Sequence, residues 1–89
     1  MNEHKIVLTD RSTLQPVVYI TVLTGKASKP DKFLWRIESV CEISGFKSEE
    51  DALEGAWNAV SAVFQVLTYL GVSPSTDLVQ AILRLAVQR

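Results

Sequence analysis

One cysteine and one histidine are all this chain has for thiol or imidazole chemistry. A lone Cys41 excludes an internal disulfide and fits a reducing compartment. A lone His4 excludes zinc sites built on two histidines, and its place so near Met1 predicts a solvated side chain. Positive charge is not in surplus either. Nine Lys/Arg stand against ten Asp/Glu for a net charge of −1, so nucleic acid is not an expected partner, since broad binding needs a basic surface to displace counterions.

Met1-Asn2-Glu3-His4-Lys5 leads straight into a short strand-like run, without the apolar core or small-residue cleavage site of a secretory signal. Residues 55 to 76 carry no charge, a length that could span a bilayer. Asn58, Ser61, Gln65 and Thr68 would nonetheless put a polar stripe into lipid, and the flanking residues are acidic where a spanning helix favours basic ones. A buried core helix accounts for the same pattern, and no membrane partner is expected. No catalytic, metal-binding or nucleotide-binding motif stands out, so no catalytic residue, metal ligand or cofactor is assigned.

What remains is a globular composition, 47% apolar and 21% charged, in a chain of 89 residues, which predicts one α+β domain over 1–89. Its charges are unevenly spread. Residues 1 to 47 carry seven Lys/Arg and five acids, whereas residues 48 to 77 carry five acids and no base. Helix ends explain most of this, because acids favour the positive end of the helix dipole.

Ser48 to Gly71 carries every local signal of a helix. Ser48 is an N-cap with Glu49, Glu50 and Asp51 in the first turn, and Gly71 is the expected stop. At 100° per residue, Leu53, Trp57, Val60, Phe64 and Leu67 form a band of large residues. Ala52, Ala56, Ala59, Val63, Val66 and Leu70 form a smaller-residue band beside it. Together they cover about half the cylinder, wider than the stripe of roughly 100° on an ordinary surface helix, so the helix needs two packing partners. The large band is expected on a sheet and the small band against a second helix or a second chain.

Ile6–Thr9 reads as an edge strand ended by the turn residues Asp10-Arg11-Ser12, and Val17–Thr24, introduced by Pro16, as a central strand apolar on both faces. Gly25 to Lys32 has loop composition, with Lys26, Lys29 and Lys32 at a solvated tip. Phe33 to Ile43 alternates, with Phe33, Trp35, Ile37, Cys41 and Ile43 on one face and Arg36, Glu38 and Glu42 on the other, which predicts a third, half-buried strand with Cys41 on the core side. Ser73 as N-cap with Pro74 at the first helical position starts a second helix. The expected architecture is a three-stranded antiparallel meander followed by a long helix packed on the sheet and a shorter C-terminal helix.

Candidate chemistry is sparse. Cys41 reads as a packing cysteine, Glu49, Glu50, Asp51 and Glu54 as a solvated, capping helix start, and Arg36, Glu38 and Glu42 as cross-strand charges. Trp35 and Trp57 are both expected in the core, although a tryptophan partly exposed beside charges would be an interface anchor. A pocket between sheet and helix could use Tyr19, Asn58 or Tyr69 as polar groups. The margin of the small-residue band, Val66 with Ala62, Ala59 and Tyr69, is the candidate interface.

Two resemblances add to this. Ser48-Glu49-Glu50-Asp51-Ala52-Leu53-Glu54-Gly55-Ala56 resembles the start of the helix that follows the strands in HicB-type antitoxins. Phe33-Leu34-Trp35-Arg36-Ile37, then Gly45-Phe46 and a helix with Ala52, Ala56 and Ala59, is similar to small bacterial three-strand-plus-helix proteins, some of them suspected immunity proteins. Both imply a small bacterial cytoplasmic protein that works by binding another protein. The function expected is a non-enzymatic interaction module, a homodimer or an immunity or antitoxin-type inhibitor. The alternative is a small ligand-binding domain or enzyme.

Overall fold

Four antiparallel strands and two helices make up the computed structural model, which describes residues 1–27 and 32–87. The strands are β1 (Asn2–Thr9), β2 (Pro16–Lys26), β3 (Phe33–Ile37) and β4 (Cys41–Phe46), and the helices are α1 (Glu49–Tyr69) and α2 (Thr76–Val87). The sheet runs β1-β2-β3-β4, so each strand pairs with its neighbour in sequence. An α+β architecture on an antiparallel meander is as the sequence predicts, and the strand count is not.

The predicted third strand is a hairpin. Glu38-Ser39-Val40 forms its turn, with Val40 N–H donating to the Ile37 carbonyl at 2.9 Å and Ser39 at φ 63°. Ile37 pairs with Cys41 and Trp35 with Ile43, so the odd residues of both strands share a face. A turn of three residues keeps the parity of the alternation. The pattern therefore runs through the hairpin unbroken and reads as one strand.

Parity does break at Gly45. Ser44 pairs with Leu34 but Phe46 with Phe33, so one extra residue sits in β4, a β-bulge at which Gly45 takes φ 102°. The bulge returns Phe46 to the core side, where its ring meets Gly55 of α1. β1 begins at Asn2, earlier than its apolar run suggests, because β2 pairs with it from Thr24 to Pro16. β2 is interior but not covered on both faces. Val18, Ile20, Val22 and Thr24 are buried, while Tyr19 and Thr21 are exposed on the helix-free side.

Ser48 Oγ accepts from Asp51 N–H at 3.1 Å, the predicted N-cap, and Gly71 ends the α1 segment at φ 74°. The rotation of α1 differs from expectation. Its buried residues are Ala52, Ala56, Val60 and Leu67, two from each band, so the seam between the bands lies on the sheet. Trp57 is turned outward at 44% exposure, with Leu53 and Phe64 half-buried beside it. The Ala-lined face lets the helix approach the sheet closely.

α2 starts at Thr76 with Ser75, not Ser73, as its cap, since Ser75 Oγ accepts from Leu78 N–H at 3.2 Å. The helix acts as a strut. Thr76 Oγ1 accepts the Tyr19 backbone N–H from β2 at 3.0 Å, and Arg84 donates to the Ser39 carbonyl in the hairpin turn at 2.8 Å. Val79 and Leu83 are its buried contacts with the core. No helix among the described residues is long and apolar enough to cross a membrane.

Candidate protein-interaction surface

Exposed apolar residues line both flanks of α1. On the flank facing the β1 edge, Leu53 and Trp57 stand over Glu3-His4-Lys5-Ile6 with Glu50 and Glu54, forming an open groove of about 660 Å³. It continues past Trp57 into a second groove of about 760 Å³, lined by Val7, Asp10, Arg11, Phe64, Gln65 and Tyr69 among others. Trp57 borders both. It is partly exposed beside charged neighbours, whereas Trp35, at 2% exposure, lies in the core. Expecting both in the core fails because β1 is the last strand and nothing stands beyond it to cover Trp57.

On the other flank lie the residues singled out in sequence. Val66 is 57% exposed, with Ala62 exposed and Ala59 half-buried against the core, whereas Tyr69, 89% exposed, borders the second groove on the Trp57 side. Leu70 and Val72 extend this apolar surface past the helix end. Tyr19, Asn58 and Tyr69, the polar groups considered for a pocket, do not converge. All three are exposed, and of them Tyr69 alone borders either of these two grooves.

Polar chemistry concentrates where β1, β2 and the start of α1 meet. Thr24 is fully buried and donates its hydroxyl proton to Glu49 Oε1 at 2.9 Å. His4 Nε2 lies 3.0 Å from the same Thr24 oxygen and 3.7 Å from Glu49, and Asn2 Nδ2 also donates to Glu49. With the Thr24 proton given to the carboxylate, the imidazole N–H donates to Thr24 Oγ1. The hydrogen bond from Asn2, then that from Thr24, holds the Glu49 carboxyl below the usual glutamate range. These are the residue types of a hydroxyl, base and carboxylate relay, but not its geometry. The hydroxyl is sealed from solvent and bonds the acid directly, so no substrate carbonyl can reach it. The cluster pins β1 and β2 to the first turn of α1. His4 is thus a bonded, partly buried residue and not the solvated one expected. Sequence separations of 20 and 25 residues from Thr24 hide the cluster until the strand register is known.

Cys41 is buried on the core face and burial pushes its thiol pKa up, which suits a packing residue and not a nucleophile. Arg36 and Glu42 face one another across β3 and β4 at 3.9 Å, the predicted cross-strand pair, while Glu38 is in the turn. Lys26 and Lys32 are exposed, and Lys29 lies outside the described residues. No group of three or more His, Cys, Asp or Glu able to hold a metal occurs among the described residues. No protein family, curated protein or solved structure matches the chain.

Proposed function

We propose that this chain is a non-enzymatic protein-interaction module, binding a second copy of itself or acting as an immunity or antitoxin-type inhibitor of another protein in a bacterial cytoplasm. The observation that carries this is the apolar surface left on α1, with Val66 and Leu70 on one flank and Trp57 and Tyr69 along the groove on the other. Contiguous exposed apolar surface on a small domain marks a binding site, and partly exposed aromatics are its usual anchors. A ligand-binding pocket or active site has less support, since the grooves are open troughs and their polar groups do not converge.

The test is Val66→Glu. Burying an unpaired carboxylate in an interface is expensive, so this variant should weaken self-association or partner binding while circular dichroism shows an intact fold. Light scattering of wild type and variant reads the effect. A wild type that is monomeric and binds no protein sinks the proposal.

A further inference from the structure

The free edge of β1 can be assigned residue by residue. In an antiparallel ladder, successive residues turn their backbone N–H and C=O to opposite sides of the strand. Ala27 donates its N–H toward β3, to Lys32 O at 2.6 Å, and Tyr19 donates its own to Thr76 of α2 at 3.0 Å. Odd-numbered residues of β2 therefore face away from β1, and even-numbered ones face it. Their partners Asn2, His4, Ile6 and Leu8 take up the β1–β2 hydrogen bonds. Glu3, Lys5 and Val7 are left with their backbone groups on the open edge.

The side chains of this outward row, with Met1 before it, lie on the helix-free face. They read apolar, acidic, basic, apolar. That order is its own complement when the strand is reversed. Two copies of β1 set antiparallel about His4 place Glu3 opposite Lys5 of the second copy, Lys5 opposite its Glu3, and Met1 opposite its Val7. A centre at Lys5 sets lysine against lysine, and a centre at Ile6 or Val7 takes Glu3 away from any lysine. Neither Glu3 nor Lys5 has an ion-pair partner among the described residues.

We propose that two copies of this chain join along their β1 strands, antiparallel about His4, so that the sheet continues through a two-fold axis. This rests on the reading above that the chain is a protein-binding module, and names the surface through which it meets its own copy. Glu3 and Lys5 then exchange both backbone hydrogen bonds with their opposite numbers and add two ion pairs. Packing favours it too. α1 lies mainly over β2 and β3, so the helices of the two copies stand on the order of 20 Å apart, about four strand spacings, and Glu50 and Glu54 are not driven together. Trp57, over Glu3 to Ile6, stands beside the added strand and supplies apolar contact. His4 does not obstruct the axis, because its ring is turned inward to Thr24 and Glu49.

Sedimentation of the full chain over a range of concentrations tests this with a charge swap. Glu3→Lys and Lys5→Glu each turn two attractive pairs into two repulsive ones and should weaken the dimer by about tenfold. The double variant should return it to near the wild-type constant. Lys5→Pro removes an outward N–H without breaking a β1–β2 bond, and should leave a folded monomer. Should the proline variant unfold, the swap still decides. A double variant no tighter than the singles overturns the pairing. So does a wild-type dimer that ignores the β1 substitutions and dissociates with Val66→Glu, an outcome that keeps the interaction module and moves its contact to α1. A wild type that stays monomeric yet binds a different protein overturns the strand pairing alone, and one that binds no protein overturns both readings.

Discussion

The two sides of α1 meet the same sheet and end in opposite conditions. On the β3–β4 side, Gly55 lies so close to Phe46 and Trp35 that an added Cβ would be 2.8 Å from the phenylalanine ring and 3.3 Å from the indole nitrogen. On the β1 side, two residues further along, Trp57 looks over an open groove. The residue with no side chain is packed tight and the largest one is half in water. Burial here follows the sheet and not the hydrophobicity of the residue. Beyond β2 on one side stand two strands and a bulge that lifts Phe46 toward the helix, and on the other stands β1 alone.

The largest expected effect that would break this comparison is a pair of alanine substitutions. Trp35→Ala empties a closed site and should cost about 3 to 5 kcal/mol, enough to unfold much of a marginal domain. Trp57→Ala removes a half-exposed ring and should cost about 1 kcal/mol. Urea denaturation measures both, and equal losses would mean that the β1 side is as closed as the other.

Gly55→Ala sharpens the comparison at finer scale. Forcing the Phe46 ring to move costs about 1 to 3 kcal/mol, against about 1 kcal/mol gained from better helix propensity, so a net loss near 1 kcal/mol is expected. A variant more stable than wild type would show slack where the contacts are tight.

The smallest effect concerns the anchor at the start of α1. The carboxyl of Glu49 titrates lower in the folded protein than in the unfolded chain, so its contribution is complete above the unfolded value and is lost as pH falls through the folded one. The melting temperature of Glu49→Gln should therefore fall less than that of wild type between about pH 6 and about pH 3. Parallel curves would show that the Asn2, Thr24 and His4 contacts do not stabilise the ionised form.

Helix α1 was legible because capping, acidic first turn, apolar period and terminal glycine all agree. The β3–β4 hairpin was hidden because a three-residue turn leaves alternation untouched. The sequence places the cap of the second helix two residues early, since Ser73 and Ser75 both offer a hydroxyl and the bond to Leu78 selects Ser75. The rotation of α1 could not be read from two adjoining apolar bands. It depends on which strands lie beside the helix, a property of sheet order. Trp57 carried the right signal, a tryptophan one turn from charged residues, but its exposure follows from the position of β1. Val66 and Tyr69 were legible as surplus apolar residues at the far margin of the small band.

Under the pairing proposed above, sheet extension among the described residues has a valence of one. The side of β2 that β3 leaves uncovered is met by α2, through Thr76, and β4 is short, bulged at Gly45 and carries Glu42. Such features discourage strand addition, whereas β1 offers eight residues in a nearly unbroken register. A subunit able to add a strand at two edges can polymerise without limit. One able to do so at a single edge is a chain terminator: its first pairing consumes that edge, and a sheet grown through it closes at two copies and cannot propagate into a fibre.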